Sequence, residues 1–299
     1  MADIRTDLAE EAHSFYIKRN NLNKTDGVTA RTEKGSVYSV TRVRIETPDA
    51  AKRLKKPVGS YVTLHSEHLK TGLYTQELSE AVSREIKKLL PKEKKDPLIL
   101  VAGLGNKRAT PDALGPRVTD QVIITRHMPE SDAFSNVCAL SPGVLGITGI
   151  ETAEIFSSVA KDVRPDLVIA VDALASGNAE NLGTTVQLSD TGINPGSGVH
   201  NRRNALNSET LGAPVIALGV PTVCDSSSLL RSAFLSSPDI DEEDSEALIS
   251  HLFSSGETMM VTPKNIDAVI ERSSIVLSRA INLALHPSLS YAQITEFTS

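Results

Sequence analysis

Three short apolar runs, each ending on glycine or polar residues, restrict this chain to an open α/β architecture. Leu98 to Ala102 (LILVA) leads into Gly103, Leu167 to Val171 (LVIAV) into Asp172, and Val215 to Val220 (VIALGV) into Pro221 and Thr222. Runs this short, rich in β-branched residues and separated by helical patterns, are parallel strands covered on both faces. The expected fold is therefore a three-layer α/β/α arrangement with a mostly parallel central sheet. Open sheets of this kind bind ligands outside the carboxyl ends of their strands, so the residues that follow each run are where chemistry is expected.

Between the runs, Asp112 to Arg126 and Ile150 to Val163 read as crossover helices. The tail from Thr262 to Leu285 reads as a covering helix, with Thr262 as N-cap, Pro263 at the first helical position, and apolar residues at Ile266, Val269, Ile270, Val276, Ile281 and Leu285. The first hundred residues differ. Alternating segments at Ser36 to Glu46 and Tyr61 to Leu64 predict an N-terminal β-hairpin region. The spacing of Leu78, Val82, Ile86, Leu89 and Leu90 predicts a helix from Gln76 to Leu90, stopped by Pro91 and a charge-rich linker. A β-rich and helical region over 8–96 and an α/β core over 97–299 are expected to form a single domain. The acidic stretch Ser236 to Glu246 reads as a solvated loop or a helix start.

Charge narrows the classes of partner. With 31 basic against 37 acidic residues and a net charge of -6, the chain lacks the basic surplus that a phosphate-dominated partner demands, so no nucleic-acid binding is expected. No segment approaches the roughly 20 apolar residues that span a bilayer, and the start of the chain lacks a basic stretch followed by an apolar run; a cytoplasmic protein with no membrane partner is expected. Cys138 and Cys224 are too few and too far apart for a disulfide framework or a paired-cysteine metal site, and read as small buried hydrophobes.

The candidate chemistry gathers at the strand ends. Gly103-Leu104-Gly105-Asn106 begins like a dinucleotide fingerprint, but Arg108 stands where the third glycine belongs and no Walker A pattern occurs. The plain reading is a sharp backbone turn off the sheet. That turn leads to Thr110-Pro111-Asp112-Ala113-Leu114-Gly115-Pro116, whose prolines restrict the chain around one carboxylate. Asp112 is either a helix N-cap or a carboxylate held at the sheet edge for chemistry. Asp172 follows five apolar residues, and a carboxylate in such a place is costly to desolvate. Two carboxylates brought together share one proton: the ionised member activates water, and the neutral member polarises a peptide carbonyl. His65-Ser66-Glu67-His68 offers two histidines without the spacing of a zinc helix, and reads as a polar loop. Ser197, in Gly196-Ser197-Gly198, lacks the GxSxG elbow; its segment reads as a strand followed by a glycine-rich loop that lines a groove or crosses the surface.

The motifs GLGN, TPDALGP, TRH, SPGVLGITGIET, VDALA, SDTGINPGSG, LGAPVIALGVPTV and MMVTPKNID, in that order, resemble those of the spore germination proteases. The likeness runs from Ile4-Arg5-Thr6-Asp7-Leu8-Ala9 to Leu283-Ala284-Leu285-His286. It implies a phosphorylase/hydrolase-like α/β/α fold related to the hydrogenase maturation endopeptidases, assembly as a homotetramer, and residence in the spore core. It further implies an atypical aspartic endopeptidase, made as a zymogen, that degrades small acid-soluble spore proteins during germination.

Carried over by motif, the catalytic pair is Asp112 and Asp172, with no cofactor and no metal. Self-trimming of a short propeptide, residues 1–7, would fall between Asp7 and Leu8, and Gly103, Gly105, Asn106, Gly196, Ser197 and Gly198 would line the substrate groove. Two alternatives keep the same aspartates: as ligands in a metal-dependent protease of the maturation type, or in an inactive relative that binds spore proteins. The chain departs from the family pattern at Asn194 and His200, and in a short stretch between Val223 and Met259.

Overall fold

The computed structural model describes residues 5–91, 94, 96–128, 134–194, 205–235, 242–253 and 259–298. The N-terminal part runs α1 (Ala9–Arg19), β1 (Val28–Lys34), β2 (Ser39–Ile45), α2 (Pro48–Leu54), β3 (Gly59–His65), α3 (His68–Thr71) and α4 (Thr75–Leu89). The core follows with β4 (Leu98–Gly103), α5 (Leu114–Thr119), β5 (Asn136–Leu140), α6 (Leu145–Thr148), α7 (Thr152–Val163), β6 (Leu167–Ser176) and β7 (Thr185–Ser189). It ends with α8 (Ser208–Leu211), β8 (Val215–Asp225), α9 (Ser226–Leu235), α10 (Glu242–Leu252), β9 (Met260–Val261), α11 (Ile266–Leu285) and α12 (Tyr291–Phe297).

The strands form one mixed sheet in the order β1-β2-β3-β7-β8-β6-β4-β5, with β9 paired to β8. The α/β class is as expected, and the parallel part is the set β8, β6, β4 and β5. The N-terminal strands are antiparallel and continue this same sheet, because β3 pairs with β7 and β7 with β8. The hairpin region thus supplies three strands of the same nine-stranded sheet.

Strand alternation sorts the side chains into two faces. One face carries Ile99, Val101, Ile169, Val171, Val186, Leu188, Leu218 and Val220, packed against α4, α5 and α11. The opposite face carries two separate apolar clusters. Leu100, Ala102, Val168 and Ala170 pack against Phe156 and Ala160 of α7, whereas Val43, Ile45 and Tyr61 pack against Ala9 of α1 and Ala50 and Leu54 of α2.

Two helices begin or end away from their sequence expectations. The segment 112–126 is helical only over α5, because the Thr119 hydroxyl turns back to the carbonyls of Gly115 and Pro116, and Thr125 is drawn onto Val137 beside β5. The covering helix starts at Ile266 with Asn265 at its cap, since the Thr262 hydroxyl donates to the Thr222 carbonyl (2.8 Å). Helices α4 and α7 match their predicted spans to within two residues.

Candidate active site

Asp172 lies inside β6, four residues before its end, a correction to the reading that the strand stops there. The relevant end is that of β4. Gly103 pairs with Val171 and is the last residue of β4, while β6 continues to Ser176. Asp172 therefore sits one step past the place where its neighbour leaves the sheet. The residue is 6% exposed, and the Ala173 N–H donates to its Oδ1 (2.8 Å).

Asp112 is carried to the same end by the turn after β4. Leu104 N–H donates to the Val171 carbonyl (2.8 Å), tying the turn to β6 directly before Asp172. Gly105 has a left-handed φ of +112° and lies so close to the Asp112 carbonyl that a Cβ would fall 2.0 Å from it. The Asn106 N–H then donates both to the Asp112 carbonyl (3.0 Å) and to its Oδ2 (2.8 Å). The carboxylate reaches back along the turn, and the N-cap of α5 is Ala113, with no side-chain cap bond. Gly115 closes the arrangement, since a Cβ there would stand 2.5 Å from the Val171 carbonyl. Of the expected groove residues, Gly103 is enclosed by Gly115 and Thr119 of α5, Gly105 abuts Asp112, and Asn106 is half-exposed. Gly196, Ser197, Gly198 and His200 lie outside the described residues.

Register places a polar strip beside Asp172. Asp172 pairs with Gly219, Gly219 with Gln187, and Gln187 with Thr63. Their chain neighbours belong to the α11 face, so these four positions share the other face, between its two apolar clusters. The N-terminal segment crosses this strip. Asp7 N–H donates to the Ala175 carbonyl, and the Ala175 N–H donates to Asp7 Oδ2 (both 2.8 Å). Gln187 Nε2 donates to the Asp7 carbonyl (2.9 Å), while its Oε1 accepts from the Ala9 N–H (2.8 Å). Leu8 and Ala9 are fully buried.

Sequence reading passed over Gln187, Lys56 and Glu11. Lys56 Nζ donates to the Thr6 carbonyl (2.9 Å); burial pushes its ammonium below the ordinary value, while Asp7 and Glu11 act to hold it up. The buried Glu11 carboxylate accepts from Thr6 and Ser176 hydroxyls, the Gly177 N–H and the Asn181 amide. A signal for Gln187 does exist: an amide at an enclosed position between Val186 and Leu188 needs polar partners.

The remaining sequence candidates resolve into structural roles. His65 Nδ1 contacts the Thr185 hydroxyl (3.2 Å), and the His68 ring packs at a tilt against Tyr74 (4.6 Å between centroids). Among the described residues no group of three or more His, Cys, Asp or Glu side chains converges as a metal site would require. No described helix is long and apolar enough to cross a membrane. Cys224 is buried and its thiol is pushed up to about 12 by burial, assisted by Glu11 and Asp225.

A family model described as germination protease matches residues 5–235. The chain belongs to the germination protease family. Germination proteases of Caldanaerobacter subterraneus subsp. tengcongensis (43% identical, covering 98% of this chain and 97% of the relative) and Clostridium perfringens strain 13 (40%, 99% of each) align end to end. A more distant one, from Bacillus cytotoxicus, is 35% identical over 99% of this chain and 97% of its own length. Family membership makes this chain a peptidase of spore germination, and the strip at the carboxyl end of its parallel strands is the place to seek its chemistry.

Proposed function

We propose that this germination protease is an endopeptidase of the spore core that degrades small acid-soluble spore proteins, with Asp112 and Asp172 as an acid/base pair acting on water. The observation that supports this reading is one backbone bond that ties the segments carrying the two aspartates together. Leu104 N–H to Val171 carbonyl joins the turn that holds Asp112 to the strand residue that precedes Asp172. Between such a pair, the ionised carboxylate takes a proton from water and the protonated one donates to the peptide carbonyl oxygen. On carbon–nitrogen cleavage the proton taken from water passes to the leaving amine, and the other carboxylate takes back a proton from the diol hydroxyl as the product carbonyl re-forms, so the pair ends as it began. The reading needs no cofactor, and it requires no nucleic acid or membrane as partner. It extends to assembly as a homotetramer and to self-processing between Asp7 and Leu8, which releases residues 1–7.

The test uses the full chain with Asp112→Asn and Asp172→Asn, a purified small acid-soluble spore protein, and mass spectrometry of the fragments. Both variants are expected to fold as the parent does and to leave the spore protein intact. Retained cleavage in either variant rejects the pair. Exhaustive chelation of the parent separates the metal-dependent alternative, which loses activity, from the acid/base reading, which keeps it. A parent that binds the spore protein without cutting it is the inactive relative.

A further inference from the structure

At one end of the sheet a strand leaves its outer side open. Among the described residues β1 pairs with β2 alone, and its positions from Thr29 to Lys34 are exposed on both faces of the sheet. Two bonds show which backbone groups point outward. The Glu46 N–H donates to the Gly27 carbonyl and the Gly35 N–H to the Tyr38 carbonyl (both 2.9 Å), and both pairs continue the register in which Val28 meets Ile45 and Lys34 meets Ser39. Bonded and non-bonded pairs alternate along an antiparallel ladder, so Thr29, Arg31 and Glu33 turn their N–H and carbonyl groups toward β2. Ala30, Thr32 and Lys34 turn theirs outward, where among the described residues no strand meets them.

Such a row is a template for another extended chain, and its charges select which one. Arg31 and Glu33 stand on one face, 3.7 Å apart from Nε to Oε1, with their side chains 81% and 54% exposed. When two copies of β1 run antiparallel about a two-fold axis, an outward residue of one must face an outward residue of the other. An axis through Thr32 meets this condition: Thr32 faces its own copy, Ala30 faces Lys34, and Arg31 falls opposite Glu33 on both sides of the axis. Neighbouring axes do worse. Those through positions 31, 33 and 34 oppose Arg31, Glu33 or Lys34 to itself, and like charges directly opposite are destabilising. One through Ala30 opposes Thr32 to Val28, whose N–H is already given to the Thr25 carbonyl (3.1 Å).

We propose that β1 is a self-pairing edge: two copies of this chain join their β1 strands antiparallel about a two-fold axis at Thr32, and the sheet runs unbroken from one into the other. The edge is complementary to itself in a single register, as an interface between identical chains requires. The proposal goes beyond the peptidase reading and supplies one contact surface for the assembly proposed above. The axis stands perpendicular to the sheet, so the face that carries α4 and α11 continues across the joint while strand directions reverse. The carboxyl ends of the parallel strands then point opposite ways in the two chains. Four strands separate β1 from β6, so the joint leaves Asp172 uncovered.

Sedimentation of the full chain over a range of concentrations tests the contact, with melting curves to check each variant's fold. Thr32→Pro removes an outward donor and no bond to β2, a place where an edge strand tolerates proline, and is expected to weaken self-association by about tenfold or more. Arg31→Glu and Glu33→Arg each set like charges across the axis and should each weaken it by about tenfold. An equimolar mixture of these two restores opposite charges at both crossings and is expected to recover the parent's association. Cross-linking reads the register. Thr32→Cys places two thiols across a bonded pair at a Cα separation of about 5.5 Å, within disulfide reach, whereas two copies of Ala30→Cys stand about 14 Å apart. Diamide is expected to give a covalent dimer of Thr32→Cys, and of Ala30→Cys no more than of the parent.

A parent that sediments as a monomer at every concentration overturns the self-pairing edge and the homotetramer together. An oligomer unmoved by Thr32→Pro and by both charge variants keeps the assembly and overturns β1 as its surface; should Thr32→Pro fail to fold, the charge variants decide alone. Loss in both charge variants without recovery in the mixture, or equal cross-linking at positions 30 and 32, overturns the register. The aspartate pair stands or falls separately, by cleavage.

Discussion

Gly115→Ala is the sharpest test of how the two aspartates are brought to one end of the sheet. A methyl at position 115 would lie 2.3 Å from the Leu104 carbonyl oxygen, 2.5 Å from the Leu104 nitrogen and 2.5 Å from the Val171 carbonyl oxygen. All three are backbone atoms, and the last two form the hydrogen bond that ties the Asp112 turn to β6. No flexible side chain can yield. Overpacking of a close contact costs about 1–3 kcal/mol, and a weakened backbone bond adds about 1 kcal/mol. A total of about 3 kcal/mol corresponds to roughly 6–12 °C in Tm for a chain of this size class. The comparison is Gly146→Ala in α6, where a Cβ meets nothing within 4 Å and the change should stay within about 0.5 kcal/mol. Thermal and urea unfolding of both variants against the parent measures the difference, and peptide cleavage should fall only in Gly115→Ala. A Gly115→Ala protein that melts within a degree or two of the parent refutes the argument that this contact sets the approach of the turn to β6.

Cys224 should behave as a hydrophobe. With its thiol raised to about 12 by burial, iodoacetamide at pH 8 should leave it unmodified in the native chain and alkylate it in urea, read by mass spectrometry. Because the folded value lies above the ordinary 9.0, its contribution to stability is complete below that value and is lost as pH rises through about 12. His286 has the opposite sense: burial lowers it below 6.5 despite its contact with the Ile123 carbonyl, so stability is present above 6.5 and declines as pH falls through the folded value. His286→Gln should lose part of the fall in urea midpoint between pH 7.5 and 5.5; an unchanged fall refutes this linkage.

Three parallel strands, β4, β6 and β8, were legible because each spells an unbroken apolar run covered on both faces; the fourth, β5, in which only Val137 is fully buried, was not. The length of β6 was not, because Asp172 interrupts the run while the backbone pairing with β8 continues to Ser176. An apolar run records where both faces are packed, and the strand outlasts it wherever one face turns polar. Helix α1 escaped notice for a related reason: it buries only Ala9 and Glu11 fully, so it presents no apolar stripe. The turn at Asp112 was visible as a Pro-bounded carboxylate, but its bond to Asn106 in place of a helix cap depends on the left-handed Gly105, a property of the folded turn. Asp7 and Leu8 were named from a motif; the residues that bond to this segment lie far away in sequence, Gln187 on β7 and Lys56 between α2 and β3.

The strip itself argues for use over stability. With the Leu174 side chain already lying over Gly219, Leu100, Ala102, Val168 and Ala170 on one side and Val43, Ile45 and Tyr61 on the other would merge into a single core if apolar side chains stood at positions 172 and 187. Burial of apolar surface at about 25 cal/mol per Å² would favour that sequence, and each enclosed polar group instead demands its own hydrogen bonds. Here those demands are met by the N-terminal segment, since both polar atoms of the Gln187 amide bond residues 7–9. The Ala9 N–H is the first of helix α1, so the Gln187 amide caps that helix while it ties Asp7 to β7.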